Sequence, residues 1–224
     1  MKTLLLRTAT GIAYLLLLFV AFFVSDWILV TVFSLLLLIA LFEYIRLAQK
    51  FPEIPNGVQK IFRRQILPLI WIVFPVLLLI YWCNMLNSKH IIVALLVILC
   101  TNDTLAYVFG SLFGKHKIWT KVSPKKSWEG FLGGLISTVA VSHFFIYIPY
   151  FQTNISSNSY IWMGFAFVVI ITGTLGDFAE SMVKRLAQQK DSGIILPGHG
   201  GVFDRIDSML FAVPAGFIYW LLNF

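Results

Sequence analysis

SMVKRLAQQKDSGIILPGHGGVFDRID, residues 181–207, lies between two apolar runs and decides how the rest of the chain is read. It gathers Lys184, Arg185, Lys190 and Arg205 with Asp191, Asp204 and Asp207, one histidine (His199) and four glycines. The flanking runs, 160–181 and 203–222, are close to the ~20 residues a helix needs to cross a ~30 Å hydrocarbon core. A polar, glycine-rich block is costly to keep in such surroundings unless it meets a charged ligand.

Outward from this block the chain is mostly hydrocarbon-like. Its 224 residues are 59% hydrophobic and 12% charged, with mean hydropathy +0.86, whereas soluble domains average about 25% charged. Apolar runs at 4–24, 27–47, 66–82, 91–110 and 130–150 join the two already named. The pattern predicts an all-α, polytopic membrane helix bundle of about seven spans with a polar cavity on the cytoplasmic side. Period-2 alternation is absent, which excludes a closed barrel. The third run is short and carries Pro68 and Pro75, which predicts a kink. With no repeat and no low-complexity linker, the chain reads as one structural unit. Residues 1–90 supply N-terminal helices, and 91–224 carry the polar loops. The first run lacks a small-residue cleavage site, so it reads as retained rather than as a signal peptide. Cys83 and Cys100 have no metal-ligand spacing and read as small hydrophobes.

The basic residues set the orientation. With the N-terminus in the cytoplasm, all of the 17 Lys and Arg except Lys89 fall on the cytoplasmic side, a strong positive-inside asymmetry. The same placement accounts for the net charge of +7 through anionic lipid heads, so nucleic acid is excluded as a partner.

Carboxylates are confined to that side too. Asp103 lies within the fourth run about 10 Å deep. Asp177 and Glu180 end the sixth, and Asp204 and Asp207 open the seventh. An ionised carboxylate facing lipid costs a few kcal/mol, so these groups are expected to share a cavity. Asp177, Ser181 and Lys184 follow i, i+4, i+7 and share a helix face, as do Asp204, Asp207 and Ser208. Asp103, Tyr107 and Gly110 line a third face. Three helix ends thus offer oxygen ligands, which suits Mg2+ together with phosphates. The plainer alternatives are a Glu180–Lys184 ion pair, structural hydrogen bonding of Asn102 and Asp103, and a helix N-terminal charge at Asp207.

Ser123-Pro-Lys-Lys-Ser-Trp-Glu-Gly precedes the fifth run. Lys125 and Lys126 beside Ser123 suit a triphosphate or a lipid phosphate, while Lys115, Lys117 and Lys121 read as ordinary positive-inside charge. Gly110-x-x-x-Gly114-Lys115 fails as a phosphate loop, because the spacing is short and no hydroxyl follows the lysine. Gly200 and Gly201 beside His199 allow backbone N–H groups to approach an anion.

The residues Ser181, Lys184, Arg185, Lys190, Asp191, Gly193, Pro197, His199, Gly200, Gly201, Asp204, Arg205 and Asp207 resemble the signature of the phosphatidate cytidylyltransferase (CDP-diacylglycerol synthase) family. NDTLAYVFGSLFGKHK from Asn102 and SPKKSWEG from Ser123 resemble it as well. The resemblance implies transfer of the cytidylyl group of CTP to phosphatidic acid, giving CDP-diacylglycerol and pyrophosphate. It implies Mg2+ held by Asp177 and Asp204, with a second cation left open. Asp207 and Lys184 join them as catalytic residues. Asn102, Asp103, Ser123, Lys125, Lys126, Ser181, Arg185, Lys190, His199, Gly200, Gly201 and Arg205 then bind substrate. A multi-pass protein of the inner (cytoplasmic) membrane with a cytoplasmic active site follows, and a homodimer is left open. The alternatives are a CTP-dependent enzyme acting on another lipid, or an ion-coupled transporter using the intramembrane acids. The clustered aspartate motif of CDP-alcohol phosphotransferases is missing.

Overall fold

The computed structural model describes residues 21–52, 57–85, 89–151, 158–193, 195 and 200–223. Among them, six helices are long and apolar enough to cross a membrane: α1 (Asp26–Ala48), α2 (Gln59–Asn84), α3 (Lys89–Phe113), α4 (Trp128–Tyr147), α5 (Ser159–Leu186) and α6 (Phe203–Asn223). They match the expected runs from 27–47 onward. The first expected run, 4–24, lies outside the described residues apart from 21–24. Large side chains such as Leu38, Phe42, Leu77 and Ile218 are exposed on the bundle surface, as a lipid-facing surface requires.

The distortion foreseen in the third run takes the form of two wide turns. Phe62–Ile66 and Leu69–Val73 are π-helical, with Leu67 N–H donating to Phe62 O and Phe74 N–H to Leu69 O. Each wide turn sits just before a proline, Pro68 or Pro75, where the missing N–H and the ring would otherwise break the regular ladder.

Two boundaries differ from the sequence reading. α5 continues to Leu186, past the expected end of the run at 181, in keeping with the helix face shared by Asp177, Ser181 and Lys184. Buried Val183 extends the packed face, and Lys184 pairs with Glu180 one turn back. The segment before α4, read as a loop, is an antiparallel hairpin of β1 (Lys117–Trp119) and β2 (Ser123–Ser127), with Lys117 opposite Ser127 and Trp119 opposite Ser123. Glu129 closes its base. Its carboxylate accepts from Lys115 N at 3.2 Å and His116 N at 3.1 Å, and it contacts His116 Nδ1 at 2.5 Å.

The helices pack chiefly as two close pairs, α3 with α4 and α5 with α6. In α4, a Cβ on Gly130 would lie 2.8 Å from Ala106 O, and one on Gly134 would lie 3.0 Å from Ala106 N. The pair is a small-x-x-x-small seam that lets two backbones touch. Between α5 and α6, a Cβ on Gly176 would lie 2.5 Å from Asp207 O. That close approach brings the next residue, Asp177, beside Asp207. Under the site, Tyr44 of α1, Trp71 of α2 and Phe203 of α6 meet edge to face at 5.5–6.2 Å. The Tyr44 hydroxyl donates to Arg63 O at 2.8 Å, so the end of α1 and the start of α2 lie at the same level. At the opposite end, Lys89 at the start of α3 pairs with Asp26 at the start of α1.

Candidate functional site

The ends of α1, α3 and α5 and the starts of α4 and α6 meet at one end of the bundle. A cavity of about 370 Å³ opens there. α3 contributes Asn102, Asp103, Tyr107 and Gly110, the hairpin Lys125, Lys126 and Ser127, and α4 Gly130 and Phe131. α5 adds Gly173, Thr174 and Asp177, and α6 adds Ser208. The walls are largely apolar while the floor and rim carry charge, the usual composition of a site that orients a ligand by a few polar groups.

Lys126, half-buried, reaches from β2 to pair with Asp177 and lies 4.5 Å from the Phe178 ring centroid. Ser181 Oγ donates to Asp177 Oδ1 at 3.4 Å, as the i, i+4 spacing allows. Carboxylate oxygens of Asp177, Glu180 and Asp207 lie within 4.8 Å of one another. Glu180 is fully buried. Its Oε2 is 2.6 Å from Lys184 Nζ, and its Oε1 has no hydrogen-bond partner among the described residues. Asp207 Oδ1 accepts from the adjacent Ser208 N at 2.7 Å. Among the described residues the cluster therefore sets three acids against two paired lysines, one of them shared. Asn102 Oδ1 is likewise buried without a partner among the described residues.

Asp204 is built differently. Oδ1 accepts from Lys184 Nζ at 2.8 Å. Oδ2 accepts from Ser192 N at 2.9 Å and Gly201 N at 2.8 Å and faces Ser192 Oγ at 3.0 Å. The sequence reading paired Asp204 with Asp177 around a metal. The structure gathers Asp177 with Glu180 and Asp207, while Asp204 joins Glu180 through the shared Lys184 and also braces the loop that precedes α6. Gly200 has φ +86°, and a Cβ there would lie 2.6 Å from Asp204 Oδ2. That left-handed turn requires glycine.

Of the other sequence-derived residues, Asn102, Asp103, Lys125 and Lys126 line the cavity. Arg185 turns toward the hairpin and its own loop. Its Nε donates to Val122 O at 3.2 Å, and its Nη1 to Gln189 O at 3.1 Å. Ser123 sits in β2 opposite Trp119. Lys190 and Arg205 are exposed at the same end. His199 lies outside the described residues.

Two residues were missed altogether. Glu43 of α1 and Ser192 are both buried and hydrogen-bonded to each other at 3.0 Å. The available signal was a single acid inside the apolar run LLLLIALFEYIRLA, since an ionisable residue within a span is expected to have a partner.

The cytidylyltransferase family model matches residues 55–223. A phosphatidate cytidylyltransferase of Staphylococcus aureus strain COL is 42% identical over 128 residues, 57% of this chain and 48% of the relative. That of Staphylococcus haemolyticus is 40% identical over 136 residues, 60% and 50% of the two chains. That of Staphylococcus saprophyticus is 45% identical over 127 residues, 56% and 46%. The chain thus spans about half the length of the curated relatives it matches.

Proposed function

The chain belongs to the cytidylyltransferase family, and from that premise we propose that it transfers the cytidylyl group of CTP to phosphatidic acid. A phosphate oxygen of the lipid attacks the α-phosphorus of CTP. The bond from that phosphorus to the β-phosphate bridging oxygen breaks, and pyrophosphate leaves with CDP-diacylglycerol as the other product. The observation that carries the reading is the charge arrangement in one cavity, with Lys125 and Lys126 on the hairpin wall facing Asp103 and Asp177 on the helices.

The donor set suits a hard divalent cation such as Mg2+. Three carboxylates converge, and one buried oxygen among them lacks a partner among the described residues. Asp177 and Asp207, with Glu180 behind them, are the residues that would hold it. Bound there, it would offset phosphate charge. Lys126, paired with Asp177, is within reach of a phosphate group entering the cavity. Lys125 at the rim binds phosphate by charge-assisted hydrogen bonds. Lys184, held between Glu180 and Asp204, keeps a fixed positive charge beside the acids. No side chain acts as nucleophile. Positioning and charge neutralisation supply the rate.

The orientation belongs to the proposal as well. The site end of the bundle carries the basic residues of the described loops, and Lys89 lies at the other end. We therefore assign the site to the cytoplasmic face of the inner membrane. The direct test is purified protein with CTP, phosphatidic acid and Mg2+, following CDP-lipid and pyrophosphate against a panel of other phospholipids and polyprenols. Equal or faster reaction with a non-phosphatidate lipid would displace the substrate assignment. No pyrophosphate with any of them would displace the activity.

A further inference from the structure

Glu43 lies on α1, before the stretch that the family model matches, and is 1% exposed. Its Oε1 accepts from Val202 N at 3.2 Å, and its Oε2 accepts from Phe203 N at 2.9 Å. α6 begins at Phe203, so these are N–H groups that the start of a helix leaves without partners. The neighbouring Gly201 N goes to Asp204 Oδ2. Two carboxylates, one from within α6 and one from a helix far upstream in sequence, thus share the first turn. Ser192 Oγ lies 3.0 Å from Glu43 Oε2 and 3.0 Å from Asp204 Oδ2, so one hydroxyl joins the two acids. A Cβ on Gly193 or on Gly201 would collide with the Glu43 carboxylate. Both flanks of the polar loop therefore close on the same side chain. A buried carboxylate is costly alone. Three donors and the positive end of α6 make this one stable.

We propose that Glu43 is a positioning residue for the transfer reaction. It fixes the first turn of α6 and the flanks of the polar loop, and so sets where Asp204 holds Lys184 and where Asp207 meets Asp177. The catalytic half of this inference rests on the cytidylyltransferase reading, whereas the loop-fixing half does not. In this arrangement the N-terminal part of the chain does more than anchor the protein in the membrane. It supplies the contact that joins the two flanks of the signature loop.

Glu43→Gln keeps size but can offer only one acceptor oxygen to donors that now use two. The control is Leu29→Ala, a buried site on the same helix roughly 21 Å along its axis. Hydrogen–deuterium exchange on the detergent-purified full chain should show residues 200–205 exchanging at least about tenfold faster in Glu43→Gln, and unchanged in Leu29→Ala. The kcat per folded molecule should fall roughly 10- to 100-fold in Glu43→Gln, with KM for CTP and lipid moving less than about threefold. Leu29→Ala should lower the melting temperature and leave kcat per folded molecule intact. Ser192→Ala added to Glu43→Gln should cost little more than Glu43→Gln alone, because the hydroxyl joins the two acids. Unchanged exchange in Glu43→Gln overturns the inference. Faster exchange with kcat within about twofold of wild type overturns the positioning role. A wild type inactive with every lipid sinks the reaction and the positioning role with it, while the exchange measurement still decides whether Glu43 fixes the loop.

Discussion

Both oxygens of Asp204 and both of Glu43 have hydrogen-bond donors, whereas Asp177, Glu180 and Asp207 crowd together with a Glu180 oxygen left without a partner among the described residues. The first pair spends its capacity on the backbone of the loop and on Lys184. Among the described residues, the second set pairs with Lys126 and with the shared Lys184. Buried polar groups that are fully satisfied specify structure, and groups that are not are the natural place for a ligand. The acids at this end of the bundle therefore divide into scaffold and site, although sequence alone gives them the same appearance.

The largest effect should come from the incomplete set. Asp177→Asn and Asp207→Asn should each lower CDP-lipid formation roughly a thousandfold, about 4 kcal/mol. Their melting temperature should hold or rise, because each removes a like charge from a crowded group. A fall in melting temperature with activity retained would mean these acids are structural.

Asp204→Asn should behave in the opposite sense. It weakens one of the two ion pairs of a lysine that is only 14% exposed and disturbs the turn at Gly200, so a stability loss of about 2 kcal/mol is expected by denaturant titration. Turnover should fall with it. Full stability with activity lost would return Asp204 to the ligand set.

The hairpin supplies the next test. Lys125→Ala should lower kcat/KM by about 2 kcal/mol, the worth of a charge-assisted bond to phosphate. Lys115→Ala, one charge removed from the same connection, should change it little. Equal effects from the two would reduce the hairpin lysines to bulk positive charge. The smallest effect belongs to the far end. Lys89 and Asp26 form an ion pair in which both side chains are substantially exposed, so Lys89→Ala should alter stability by less than about 1 kcal/mol and activity not at all.

The sequence showed the spans from 27–47 onward plainly, because a bilayer demands near-continuous apolar runs and leaves little else for them to be. It also placed Asp103, Lys125, Lys126 and Asp177 at one end, since charge confined to one side of the spans has nowhere else to go. Local spacing was equally readable, as Glu180 with Lys184 and Asp177 with Ser181 bear out. What escaped depends on closure in three dimensions. The hairpin is short, lysine-rich and carries Pro124, so no strand pattern announces it. Glu43 meets Ser192 only because α1 packs beside the start of α6. The division between Asp177 and Asp204 turns on which way a loop folds back, and helical periodicity contains no information about that.

The division between scaffold and site is tested most directly by binding Mn2+, as a spectroscopic stand-in for Mg2+, to detergent-purified protein and reading the bound ion by electron paramagnetic resonance. The wild type and Asp204→Asn should both bind, the latter wherever it remains folded, and Asp177→Asn and Asp207→Asn should not. Binding that survives loss of Asp177 and Asp207 but disappears with Asp204 would contradict the account.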